Sequence, residues 1–117
     1  RRRAMSEDFK EQKQHEIREK WAKYAKAKSE HAYLEHYRKS LMAILQKEYM
    51  ASGHASVAAQ EREARADVRY LEVLEGIKVS VEQEEVMRGE CKMAEWQFEG
   101  WKARIYADQR EAKRYGH

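Results

Sequence analysis

One interruption governs what this chain can fold into. In 117 residues there is no proline, and the only stretch that reads as a turn is ASGHAS, Ala51 to Ser56. Gly53 can end a helix in the left-handed conformation. Ser56 can cap the next helix, with Glu61 and Glu63 following near its positive end. Elsewhere Ala, Glu, Lys, Arg and Gln dominate, and these residues lose little on entering a helix. Ser6 offers a first cap, with Glu7 and Asp8 in the turn behind it. The chain is therefore expected to be all-α: a long antiparallel, coiled-coil-like helical hairpin, with one helix over about 7–50, a turn at 51–56 and a second helix over about 57–114. Arg1, Arg2 and Arg3 precede Met5, a natural start, so residues 1–5 read as an appended or disordered leader and 6–117 as one domain.

Helices of this length must bury a stripe. In the first, Ile17, Trp21, Tyr24, Ala27, Leu34, Tyr37, Leu41, Leu45 and Tyr49 share one broad face. In the second, Val68, Leu71, Leu74, Ile77 and Val81 begin a stripe. Met87, Cys91, Ala94, Phe98, Trp101, Ile105, Asp108 and Ala112 continue it by steps of four and three, the spacing of a coiled coil. A second apolar row lies roughly 150° around the same helix, taking about 100° per residue: Val79, Val86, Gly89, Met93, Trp96, Gly100, Ala103 and Ala107. A two-helix hairpin covers only one such face, and two helices alone make a thin core. The expected outcome is a homo-oligomer with Val86, Gly89, Met93, Trp96, Gly100, Ala103 and Ala107 at its interface; the competing reading is small residues scattered on a solvated face.

Charge runs basic, acidic, basic. Residues 1–50 carry 13 basic and 8 acidic side chains, residues 51–100 carry 6 and 11, and residues 101–117 carry 5 and 2. Without Arg1 to Arg3 the 24 basic side chains fall to 21, equal to the 21 acidic ones, so the total alone says little about an acidic partner. Folding at Gly53 sets Lys20, Lys23, Lys26 and Lys28 against roughly residues 78–88, which include Glu82, Glu84 and Glu85. The lysines then answer an acidic stretch of their own chain; the alternative is a stripe for phosphates. Two further clusters face the same choice. Lys102, Arg104, Arg110, Lys113 and Arg114 form either a nucleic-acid patch or a basic helix end complementing the helix dipole. Arg38, Lys39 and Lys47, near Tyr33, Tyr37 and Tyr49, are either phosphate grips beside stacking rings or solvated cations beside core tyrosines.

Catalytic and metal motifs are missing. No histidine follows a glutamate at the three-residue spacing of di-iron bundles, no glycine loop cradles phosphate, and Cys91 on the apolar stripe reads as a small hydrophobe. No enzyme, cofactor or metal is expected. No 18-residue apolar run and no secretory leader are visible, so the expected location is cytoplasmic, with no membrane partner.

The stretches YLEHYRKSLMAILQKEYMASG, EREARADVRYLEVLEGI and KMAEWQFEGWKARIYADQR together resemble small phage-encoded recombination mediators. Those proteins load a strand-exchange recombinase onto single-stranded DNA. The likeness spans about Trp21 to Arg110 and lies in layout: a basic first helix, a Ser-Gly turn after an aromatic, and a long second helix. It implies an oligomer that binds single-stranded DNA without sequence preference, with a recombinase and a single-strand-binding protein as partners, and a bacterial host cytoplasm as location. It points to Arg38, Lys39 and Lys47 before the turn, where Leu45 and Glu48 break the family's basic run. The alternative is a protein-binding assembly, scaffold or inhibitor module with no nucleic-acid role; a third reading is a structural coiled coil with no ligand.

Overall fold

A computed structural model describes the backbone of residues 2–115 and the side chains of residues 7–115. Among these residues the chain is all-helical: α1 spans Arg2–Ala51, α2 Val57–Ala66 and α3 Val68–Arg114. The first helix starts before Glu7, as the helix-forming run of Arg, Ala and Met permits. The backbone at Ser6 is already helical, so Ser6 is not the first cap; Arg1 and the Ser6 side chain lie outside the described residues. The turn is where the sequence puts it. Gly53 has φ +107°. Its N–H donates to Met50 O at 3.2 Å and that of His54 to Tyr49 O at 3.1 Å, the paired bonds of a Schellman ending. The Tyr49 and His54 rings meet edge-on across it, 5.6 Å apart. Ser56 caps α2, its hydroxyl accepting from Ala59 N at 3.1 Å.

The expected single second helix is broken at Asp67, whose backbone is extended (φ −67°, ψ 135°). Aspartate prefers caps to helix interiors because its carboxylate competes for nearby N–H groups. Here Oδ1 accepts from Arg69 N at 2.8 Å, capping α3. The side chain then acts as a hub: Oδ2 accepts from the Tyr49 hydroxyl at 2.8 Å and from Arg69 Nη2 at 3.0 Å. Arg69 also reaches Glu48 Oε1 at 2.9 Å.

The chain divides into two compact units. The turn unit, residues 25–85, has a core of Leu41, Leu45, Ala64 and Tyr70, with Met42, Tyr49 and Val73 packed on it. Its helices pair antiparallel through His31–Glu84, Arg38–Tyr70 and Tyr49–Asp67. The terminal unit, residues up to Tyr24 and from Val86, is also an antiparallel pair. Phe9 packs on Trp101 with centroids 4.8 Å apart, Lys20 lies 3.8 Å from Glu90, and Trp21 Nε1 donates to Glu95 at 2.8 Å. Cys91 and Phe98 are buried there.

The inward positions of α3 run 70, 73, 77, 80, 84, 87, 91, 94, 98, 101 and 105, an unbroken alternation of three and four. This corrects half of the expected stripe. Met87 to Ile105 face inward as expected, while Asp108 and Ala112 are exposed. Below them Val68, Leu71, Leu74 and Val81 are exposed, and Tyr70, Val73, Ile77, Ser80 and Glu84 take the seam. The observed positions keep the three-four spacing of a seam, whereas passing from Val81 to Met87 would need a step of six. Polar residues are tolerated in the seam because they find partners there: Glu84 Oε1 lies 2.6 Å from His31 Nδ1, and Arg38 donates to the Tyr70 hydroxyl at 3.4 Å. The lysine register shifts likewise, with Lys20 meeting Glu90 and His31 taking Glu84. On α1 the expected face is at least half-buried except at Tyr37, which is exposed.

Candidate self-association face and nucleic-acid interface

With 70 and 73 in the seam, residues 79, 86, 89, 93, 96, 100, 103 and 107 fall on the outward positions of the α3 heptad. Trp96 is 70% exposed, and Val86 and Met93 are 54% and 52% exposed. A methyl group at Gly89 would meet open space, and one at Gly100 only the tip of Arg104, 3.9 Å away. Ala103 and Ala107 are exposed. The seven interface candidates thus form one row within the terminal unit: large apolar groups at one end and small ones that would admit a close backbone at the other. The same alternation of steps carries the row on to Arg110 and Arg114. These two cations, with Lys113, Ala107 and Glu111, border one shallow hollow.

The other cations are distributed differently. Lys102 is engaged, 3.2 Å from Glu99 and 5.1 Å above the Phe98 ring. Arg104 is exposed beside a groove floored by Phe9, Phe98 and Trp101. In the turn unit Arg38 is turned inward, between Tyr70 and the Glu35 carboxylate at 3.5 Å. Both partners favour its charged form and raise its pKa, the Tyr70 hydrogen bond first. Lys39 and Lys47 are exposed. Arg38, Lys39 and Lys47 therefore do not point to one place: α1 directs the first into the seam and the other two outward.

Sequence reasoning missed two features. Tyr33 and Tyr37 stack in near-parallel fashion, centroids 6.2 Å apart and planes 13° apart, and are 63% and 41% exposed. Counting back by threes and fours from Leu45 and Leu41 through Arg38 and Leu34 would have put Tyr37 outside the seam. The Asp67 hub was also missed, although an aspartate inside a long helical pattern is itself a capping signal. The Arg69 guanidinium and the Tyr49 hydroxyl hold the Asp67 carboxyl well below the usual carboxylate range, and that carboxylate in turn pushes the Tyr49 phenol up.

Burial pushes the Cys91 thiol up, away from the reactive thiolate. Among the described residues no three of His, Cys, Asp and Glu gather as metal ligands. None of the described helices is long and apolar enough to cross a membrane. No protein family, curated protein or solved structure matches the chain.

Proposed function

We propose that this chain is a non-enzymatic assembly protein that self-associates through the outward α3 row and, once assembled, holds single-stranded DNA by its phosphates. One observation carries the reading: the uncovered row of Val86, Met93 and Trp96 runs by the same helical steps into Arg110 and Arg114. Burying the row against further copies removes apolar surface from water. Parallel association would also gather several sets of these cations, and a field of summed cations attracts a polyanion more strongly than any one set does. A mediator role, helping a recombinase displace single-strand-binding protein, extends the proposal and rests on the layout likeness alone. Particle mass by light scattering, with and without an oligo-dT, tests it. The expected result is an oligomer whose mass rises with oligonucleotide and whose affinity falls steeply with salt. A strict monomer, or an oligomer indifferent to DNA at low salt, would sink it.

The protein-binding reading is favoured by a different fact: Arg38 and Lys102 spend their charge within the chain. On that reading the Trp96 row docks another protein. It gains if the chain oligomerises or captures a partner yet ignores oligonucleotide.

A further inference from the structure

The terminal unit holds a groove of about 230 Å³ between α1 and α3. Its floor is aromatic. Phe9 and Phe98 each pack against Trp101, with centroids at 4.8 and 5.8 Å, and the Phe98 and Trp101 planes are 21° apart. Lys13, Lys20 and Arg104 stand on its walls against a single carboxylate, Glu16. That carboxylate is already answered by Lys13 at 3.3 Å, and Lys20 is 3.8 Å from Glu90. Arg104 is the exposed cation of the three.

We infer that this groove receives one nucleotide of a single strand: the base against the Trp101 face and the adjoining phosphate on Arg104. The inference rests on the proposed single-stranded DNA binding and names its site. Three features select this ligand. The volume is below the roughly 300–1,000 Å³ of sites for drug-sized molecules, so it suits one flat ring system. An aromatic floor offers stacking to any base and so carries no sequence preference. With Lys13 facing Glu16 and Lys20 facing Glu90, the walls keep a positive excess at Arg104, complementary to a phosphate and unfavourable to an acid-free apolar peptide. A guanidinium also matches phosphate geometry in two-point contact.

The test compares dT12 with an abasic strand of the same length, by anisotropy and tryptophan emission, at low salt. The expected result is that dT12 binds at least about fivefold more tightly than the abasic strand, as one stacked base requires, and quenches tryptophan emission while the abasic strand does not. Arg104→Ala should weaken dT12 by about fivefold or more without changing the helical circular dichroism, because the side chain is exposed. Trp101→Phe should abolish most of the quench while keeping a ring in the floor. Free dTMP should bind far more weakly than dT12, since one groove lacks the strand's other contacts. If dT12 binds but Arg104→Ala is silent while Lys113→Ala with Arg114→Ala weakens it, the groove is not the site and the wider DNA reading survives. If polyglutamate displaces dT12 as well as unlabelled dT12 does, the groove reads charge alone and the inference falls. If dT12 does not bind at all, both fall.

Discussion

The two units solve the same packing problem with different chemistry. The turn unit has a small aliphatic core, Leu41, Leu45 and Ala64 with Tyr70, and fixes its register with polar contacts between helices: Arg38 on Tyr70, His31 on Glu84, and Tyr49 and Arg69 on Asp67. The terminal unit has fewer such contacts, Trp21 to Glu95 and Lys20 to Glu90, and more rings: Phe9, Phe98 and Trp101 in one cluster, and Trp21 edge-on to Tyr24 at 5.4 Å. Hydrogen bonds demand one geometry, so they pin register. Aromatic surface is non-directional by comparison and supplies area instead. The difference teaches why the groove and the uncovered Trp96 row lie in the terminal unit, where rings are plentiful. All three tryptophans, at 21, 96 and 101, also lie there. Tryptophan emission therefore reports that unit, while far-UV circular dichroism follows all the helices.

The largest expected effect is on the turn unit's core. Leu45 has no exposed surface, so Leu45→Ala should cost about 2–5 kcal/mol of unfolding free energy in urea, followed by circular dichroism. A cost below about 1 kcal/mol would remove Leu45 from any tight core. Next comes the Asp67 hub. Its folded carboxyl titrates below the unfolded value of about 3.9. The stability it contributes is thus fully present above that value and is lost as pH falls through it towards the lower folded value. Wild-type urea midpoints should drop as pH is lowered from 5 to 3. Asp67→Asn should start lower at neutral pH and drop less. Parallel curves for the two proteins would show that the hub does not control this unit's acid response.

Gly53→Ala is expected to cost about 1–2 kcal/mol, since a side chain at φ +107° is strained whatever the space around it. Gly53→Asn, which tolerates positive φ better, should recover part of that. A neutral alanine substitution would mean the turn relaxes to another ending. The smallest effect on stability should be at Trp96. Trp96→Ala removes an exposed ring and should shift the monomer's unfolding free energy by no more than about 0.5 kcal/mol. Particle mass should nonetheless fall to that of a single chain. Unchanged mass would move the association surface elsewhere.

The sequence by itself determined the helical class, the turn and the outward row. The absence of proline, the lone ASGHAS interruption and the three-four spacing from Met87 to Ile105 are local signals, and local backbone preference decides them. It also carried the Trp96 row, because a face left over after one seam is filled can be counted along a helix. Which residues of 68–84 face inward was decided only in the tertiary structure. There the more apolar choice lost: Glu84 and Tyr70 meet His31 and Arg38 across the helix pair, and Leu71 and Leu74 stay exposed. The break at Asp67 belongs to the same class: its carboxylate gains partners, Tyr49 and Arg69, that exist only once two distant segments have met. The groove beside Arg104 does too, since Phe9 and Trp101 are far apart in the chain, and no periodicity within one helix can say which ring of the other it will touch.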